Sequence, residues 1–142
     1  MKQNVVLLKI KKESKPQNSY TMAFIETNFL EKDEILKIKV TGKYKAEPTN
    51  DRLKEIINMM DDHQTVKCLL DYTEGEFSPE AKTGINRPKQ LENLGVDDDV
   101  KFACLFKKIT EDERFFEKVH LNSGYKLRLF EDEKEAIAWL RN

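Results

Sequence analysis

The stretch VKCLLD, residues 66–71, decides the fold class, because its apolar residues follow one another without alternation. A second stretch of the same kind, KFACLFK, occupies residues 101–107. Continuous apolar runs of this length are typical of strands that are covered on both faces of a sheet. Helical patterns flank both runs, and a helix between two strands returns the chain to the same edge of the sheet. The second half of the chain therefore predicts parallel strands with crossover helices.

The helices are recognised by the spacing of apolar residues and by their capping residues. TNDRLKEIINMMDD, residues 49–62, carries an apolar stripe at helical spacing and begins with Thr49 as an N-cap. The stripe consists of Leu53, Ile56, Ile57 and Met60. A helix after Ser78 is predicted to be short or broken, because Pro88 interrupts its pattern.

The last two helices have clear ends. Thr110 and Glu113 form a T-x-x-E capping box, and Gly124 suits the position after the helix end. Asp132 caps the final helix, whose inward face is predicted to carry Ala136, Ile137 and Leu140.

The first third of the chain reads as strands with one wet face, since apolar residues alternate with lysine and threonine. The turn-like segments 13–18 and 28–34 separate three such strands, so an antiparallel meander is expected. The predicted apolar positions are Val6, Leu8 and Ile10, then Tyr20, Met22 and Phe24, then Leu36, Ile38 and Val40. The full predicted order is β-β-β-α-β-α-β-α-β-α, an α/β protein with a mixed sheet.

The totals indicate one domain in a soluble protein. The chain has 142 residues, of which 36% are charged, and its net charge is −1. Nothing in that balance favours nucleic acid or an anionic membrane as a partner. No segment resembles a secretory signal or a membrane span, and Cys68 and Cys104 lie within apolar runs, so a cytoplasmic protein with reduced thiols is expected.

Four segments together resemble the STAS-like domains, specifically the SpoIIAA-like group. These segments are LKIKVTGKY, VKCLLDYTEGEFSPEA, VKFACLF and the ending YKLRLFEDEKEAIAWLRN. The resemblance covers residues 33–142 as a core, to which residues 1–32 add further strands, within a single domain of residues 1–142. It implies a regulatory or protein-interaction module without catalysis. It also implies an alternative, a carrier or sensor of a small apolar molecule held between sheet and helices.

The resemblance also brings a possible switch serine. In anti-sigma-factor antagonists, a kinase phosphorylates a serine in the motif Asp-Ser-Ser/Thr-Gly, at the start of a helix. Ser78 is the nearest match by position, but EFSPEA lacks the preceding aspartate, the second hydroxyl and the glycine. Glu74, Glu76 and Glu80 would also crowd a phosphate there, so Ser78 is predicted to be first of all a helix cap followed by Pro79.

Asp71 is predicted to end the strand of the first apolar run, and residues 71–84 are predicted to connect that strand to a helix. Ligands of open α/β sheets bind outside the carboxyl ends of the strands, and polar residues follow both apolar runs. The candidate switch or binding rim consists of Ser78, Asp71, Thr73, Lys107, Lys108 and Thr110. The structural alternative is that Asp71 and Thr73 make local turn hydrogen bonds and that the other hydroxyls cap helices.

No catalytic, metal or cofactor site can be assembled from the sequence. His63 and His120 have no metal-ligand spacing around them, and no nucleophile has a base partner. The run VDDDV, residues 96–100, is either a weak cation site or, more often for such runs, a solvated turn. We therefore expect a protein that is not an enzyme, with no cofactor and no metal.

Overall fold

The computed structural model describes residues 5–11, 22–44, 51–77 and 87–142. The described strands and helices follow one another in the predicted order, with three strands first and then alternating helices and strands. Their bounds are β1 Val5–Lys11, β2 Met22–Leu30, β3 Ile35–Tyr44, α1 Asp51–Asp62, β4 Lys67–Phe77, α2 Arg87–Asn93, β5 Lys101–Leu105, α3 Glu111–Asn122, β6 Lys126–Phe130 and α4 Glu133–Arg141.

The strands form one six-stranded sheet in sequential order, β1-β2-β3-β4-β5-β6. The first three strands are antiparallel neighbours, and β3 to β6 are parallel. The predicted mixed α/β sheet is therefore confirmed. When successive crossover connections have the same handedness, their helices lie on the same face of the sheet. Helices α1, α2 and α3 all pack on one face, whereas α4, which follows the last strand, packs on the other face.

The middle strands are covered on both faces, as their unbroken apolar runs predicted. Cys68 and Leu70 of β4 belong to the core cluster beneath α1, α2 and α3, and Leu69 belongs to the cluster beneath α4. In the same way, Phe102 and Ala103 of β5 belong to opposite clusters. The stripe of α1 and the predicted inward residues of β3 are buried or packed against the first cluster.

Helix α4 is fixed to the sheet by its apolar face and by polar contacts near both ends. Ala136 and Leu140 are buried, and the Phe130 and Trp139 ring centroids are 5.9 Å apart. Lys37 of β3 meets Glu133 at 2.8 Å, and Arg141 meets Asp33 at 2.8 Å. Asp132 caps the helix by accepting the Lys134 N–H, as predicted.

Two predicted connections are partly strand. Residues 71–84 were expected to connect a strand to a helix, yet β4 continues to Phe77 by pairing with β3. Residues 28–34 were expected to form a turn, yet β2 runs to Leu30 and the turn occupies residues 31–34. Among the β2 residues whose burial is described, Ile25 and Thr27 are buried. The side chains of Met22 and Phe24 lie outside the described part of the structure, so their predicted inward orientation stays a prediction.

Thr49 and Ser78 both lie outside the described residues, so their predicted caps stay predictions. Pro88 lies in the first turn of α2, at the start of the described helix. Backbone N–H groups in the first turn of a helix have no acceptor within the helix, so the N–H that proline lacks costs no hydrogen bond here.

Candidate functional site

Asp71 is buried inside β4 and is satisfied locally. It is 5% exposed, and its Oδ1 accepts the Thr73 N–H at 2.9 Å and the Thr73 hydroxyl at 2.6 Å. Asp71 does not end β4 as predicted, but it pairs with Leu105, the last residue of β5. The two bonds to Thr73 are the kind of local contact that the structural alternative proposed, here made within a strand.

Lys39 of β3 is the register partner of Asp71 and brings a positive charge to this end of the sheet. Its ammonium group lies 3.1 Å from the Glu74 carboxylate. The hydrogen bond to Glu74 raises the pKa of Lys39 above its ordinary value, and the nearby Asp71 and Glu26 charges act in the same direction. The positive charge of Lys39 is thus balanced by the negative charges of neighbouring carboxylates, chiefly that of Glu74.

The second side of the predicted rim is built around the start of α3. Thr110 and Glu113 form the predicted capping box, in which the Thr110 N–H donates to the Glu113 carboxylate at 2.7 Å and the Thr110 hydroxyl binds the same carboxylate. Lys107 and Lys108 are exposed. Of the predicted rim, Asp71 and Thr73 are therefore hydrogen-bonded to each other, and Thr110 caps α3. Ser78 lies outside the described residues.

An open groove lies between α2 and α3. Its volume is about 300 Å³, measured as the space open to the centre of a water molecule. Its apolar lining comes from Pro88, Val119 and Tyr125, and its polar lining from Lys89, Glu92 and Ser123. Phe115, one helical turn before Val119, is 45% exposed, which is unusual for a large apolar ring.

A smaller cavity lies on the inner side of the same two helices. It offers about 20 Å³ to the centre of a water molecule. Its described lining consists of Leu53, Ile56, Leu70, Arg87, Leu91, Phe102, Phe116, His120 and Leu127. All but Arg87 and His120 are apolar, so this cavity belongs to the first core cluster.

His120 is fully buried against the ring of Phe116, at a centroid distance of 4.5 Å. Its Nδ1 lies 2.9 Å from the Phe116 carbonyl oxygen, and its Nε2 is buried without a hydrogen-bond partner among the described residues. Burial is the main reason that the pKa of His120 falls to about 4; the Phe116 hydrogen bond raises the pKa and the Arg87 charge lowers it further. At neutral pH the ring is therefore uncharged.

The two cysteines are free thiols on neighbouring strands and are completely buried, as predicted. Burial raises the pKa of Cys104 to about 12 and raises that of Cys68 further, with the neighbouring Cys104 adding to the effect on Cys68. Because the thiolate is the reactive form, both thiols are held in an unreactive state.

Two further features concern ions and membranes. Within the described residues, no group of three or more His, Cys, Asp or Glu side chains could hold a metal ion. The three exposed aspartates lie in a turn at Asp97, Asp98 and Asp99. The Val100 N–H donates a hydrogen bond to the Asp97 carbonyl oxygen at 3.3 Å and closes this turn. None of the helices in the described part of the chain is both long and apolar enough to cross a membrane.

The fold places the chain among α/β proteins with a mixed sheet whose parallel strands follow an antiparallel start. Among solved structures, it is similar to an uncharacterised protein of the DUF3478 family from Shewanella loihica PV-4, which is described as having a SpoIIAA-like fold. The identity is 17%, the match covers 99% of this chain and 98% of the other, and the TM-score is 0.44. No protein-family model matches the chain, and no curated protein matches it.

None of the described residues of the predicted rim lines the groove or the inner cavity. His120 lies four residues after Phe116, a spacing that puts two side chains on one helix face. Phe115 precedes Phe116 directly, so one of the two rings had to point away from the core. These two signals were available in the sequence.

Proposed function

We propose that this protein is a non-catalytic interaction module that binds a segment of a partner protein in the groove between α2 and α3. The observation that carries the proposal is the groove itself, and Phe115, one helical turn before the lining residue Val119, is exposed on the same helix. Interfaces combine an apolar centre with a polar rim. The groove has that composition, with Pro88, Val119 and Tyr125 between the polar side chains of the two helices.

The charges around the groove indicate what kind of segment it suits. Lys89 and Glu92, the two charged residues of the described lining, pair with each other at 3.3 Å. Because these two charges are opposite, the described lining carries no net charge. A partner segment that inserts a leucine, methionine or aromatic side chain, with little net charge, fits this surface better than a strongly acidic or basic one.

Binding without catalysis is supported by the state of the chemically capable groups. The thiols of Cys68 and Cys104 are buried and protonated, Asp71 is engaged by Thr73, and the Thr110 hydroxyl serves the capping box. Each of these groups has a structural task. None of them is presented to the groove among its described lining residues.

The small volume of the described inner cavity supports an interaction surface over a carrier pocket between sheet and helices. Small-molecule sites usually have roughly 300–1,000 Å³. The cavity between sheet and helices offers about 20 Å³, the space of a single water molecule, whereas the open groove offers about 300 Å³. A partner side chain entering from outside can use the groove without rearranging the core.

Site-specific photo-crosslinking tests the proposal. A photoreactive amino acid is placed at Lys89, in the groove, and in a second variant at Lys134, on α4 at the opposite face of the sheet. Crosslinking is carried out in the source cells. A protein captured from position 89 alone is then purified, and its affinity for this chain is measured by calorimetry.

Two substitutions on α3 decide whether the purified partner uses the groove. Val119 lines the groove, whereas Leu121 is 52% exposed and is not among its described lining residues. We expect Val119→Arg to weaken binding at least tenfold, a typical effect on disrupting an apolar contact at an interface centre, and Leu121→Arg to leave it unchanged. Equal affinities of wild type and Val119→Arg, with unchanged unfolding midpoints, would refute the proposed surface.

A further inference from the structure

The hydrogen bond of His120 to its own helix determines which nitrogen carries the proton. A carbonyl oxygen can only accept, so the contact of 2.9 Å with the Phe116 carbonyl makes Nδ1 the donor. In the neutral ring the other nitrogen, Nε2, is then an acceptor with a free lone pair. Nε2 is buried and has no partner among the described residues.

An acceptor in this position loses its hydration without a replacement hydrogen bond, which is unfavourable in a folded protein. His120 lines the inner cavity, and the cavity has the size of one water molecule. The other polar residue on the described lining is Arg87. Its guanidinium group can only donate, and its Nε already donates to Gln90 Oε1 at 3.2 Å, which leaves its other N–H groups for a further acceptor. A bound group must therefore donate to Nε2 and can accept from Arg87.

We propose that the cavity beside His120 is a binding site for one neutral hydroxyl group. Its O–H donates to His120 Nε2, and its oxygen accepts from the Arg87 guanidinium. The site lies inside the first core cluster and does not depend on the groove function proposed above.

Other ligand chemistries fit the same lining less well. A carboxylate would place its negative oxygens against the Nε2 lone pair. An ammonium group would face the positive charge of Arg87 in an apolar environment, where like charges are strongly unfavourable. A metal ion would find one imidazole nitrogen and neither a thiolate nor a carboxylate among the described lining residues. A hydroxyl group both donates and accepts, as the two polar neighbours require.

The hydroxyl can come from solvent water or from a small alcohol. Water fits the cavity as it stands. An alcohol would in addition place its alkyl part against apolar lining residues such as Leu53, Leu91 and Leu127.

Nuclear magnetic resonance tests both sources in one preparation. The ¹⁵N-labelled protein carries His63→Gln, so that His120 is the single histidine of the chain. Long-range ¹H–¹⁵N spectra at pH 7 give the protonation of each ring nitrogen. Water-selective NOE and ROE spectra detect a bound water near the His120 ring, and ¹³C-methanol is added as the alcohol probe.

We expect a protonated Nδ1, an unprotonated Nε2 and an NOE from a bound hydroxyl to the His120 ring. If the NOE at the water frequency persists after methanol is added, the ligand is solvent water. If that NOE disappears and NOEs from ¹³C-methanol to the His120 ring replace it, the cavity is an alcohol site. A dry cavity, or a proton on Nε2, would overturn the proposal.

A matched pair of variants on α2 tests the second partner. Arg87 lines the cavity, whereas Lys89 lies two residues further and lines the outer groove. Arg87→Gln should abolish the hydroxyl NOE or shorten the residence time of the bound molecule, and Lys89→Gln should leave both unchanged. An unaltered NOE in Arg87→Gln contradicts the assigned role of Arg87.

Discussion

Acidification tests how His120 is held in the core. In the unfolded chain its imidazole has an ordinary pKa of 6.5, whereas in the folded protein burial lowers this pKa to about 4. Between these two values the unfolded state binds a proton that the folded state does not. The stability that comes from a neutral, buried His120 is therefore complete above about pH 6.5 and is lost as the pH falls toward 4.

The size of the effect follows from the same two pKa values. A shift from 6.5 to about 4 corresponds to roughly 3 kcal/mol in total, at about 1.4 kcal/mol for each pKa unit. Between pH 7 and pH 5 the linkage relation gives a loss of about 2 kcal/mol. This window is the better choice for measurement, because carboxylates with ordinary pKa values near 4 remain mostly ionised above pH 5.

The assay compares urea unfolding at pH 7 and pH 5 for two proteins. The parent carries His63→Gln, and the second protein carries His120→Phe in addition, so their carboxylates are the same. The free energy of unfolding of the parent should fall by about 2 kcal/mol more than that of the double variant. Any cavity or strain introduced by phenylalanine affects both pH values and cancels in the difference. An equal loss in both proteins would show that His120 does not titrate as its burial requires.

Three further outcomes are expected. Thr110→Ala should cost about 0.5–2 kcal/mol of stability in urea unfolding, and Thr110→Ser, which keeps the capping hydroxyl, should cost less; equal losses would contradict the capping role. A thiol reagent should modify Cys68 and Cys104 rapidly only after denaturant is added, since both are buried; rapid labelling of the native protein would contradict their placement. In urea unfolding, Leu140→Ala should lower the free energy of unfolding by about 2–5 kcal/mol. Trp139→Ala should lower it by less, because Leu140 is fully buried and Trp139 only partly; a larger loss for Trp139→Ala would mean that Trp139 anchors α4.

Several elements could be predicted because their determinants are local. The stripe from Leu53 to Met60 needs only the helical period, and its predicted residues do face the core. The ends of α3 need only Thr110, Glu113 and Gly124, and the φ of +90° at Gly124 is the left-handed conformation that glycine favours. Such features depend on residues within one or two turns of each other, so no knowledge of the tertiary structure is required.

The extension of β4 could not be predicted, because its determinants are distant in sequence. The segment from Tyr72 to Phe77 contains Gly75 and charged residues, which are poor strand formers on their own. It is a strand because β3 continues alongside it, with Gly42 opposite Gly75. A register shift between Lys39 and Thr41 precedes this pairing. Whether a polar segment forms a strand here depends on a partner more than thirty residues away.

The burial of His120 shows the same division between local and tertiary information. Its spacing from Phe116 predicts that both lie on one face of α3, but the spacing does not say which face is buried. Burial becomes acceptable because the helix supplies the Phe116 carbonyl as the acceptor for Nδ1. Whether Nε2 has a hydrogen-bond partner depends on the residues around the cavity, such as Arg87, which come from distant segments. None of the residues that the structure describes supplies one.

Helices α2 and α3 separate the inner cavity from the outer groove, and each contributes to both. On α2, Arg87 and Leu91 line the cavity, while Lys89 and Glu92 line the groove. On α3, Phe116 and His120 face inward, and Val119 faces the groove. A substitution on either helix can therefore alter partner binding through the core as well as through the surface. For this reason the groove test combines Val119→Arg with measurements of the unfolding midpoint, and the cavity test compares Arg87→Gln with Lys89→Gln. A loss of partner binding without a change in the hydroxyl NOE identifies the groove as the site responsible, and the reverse result identifies the cavity.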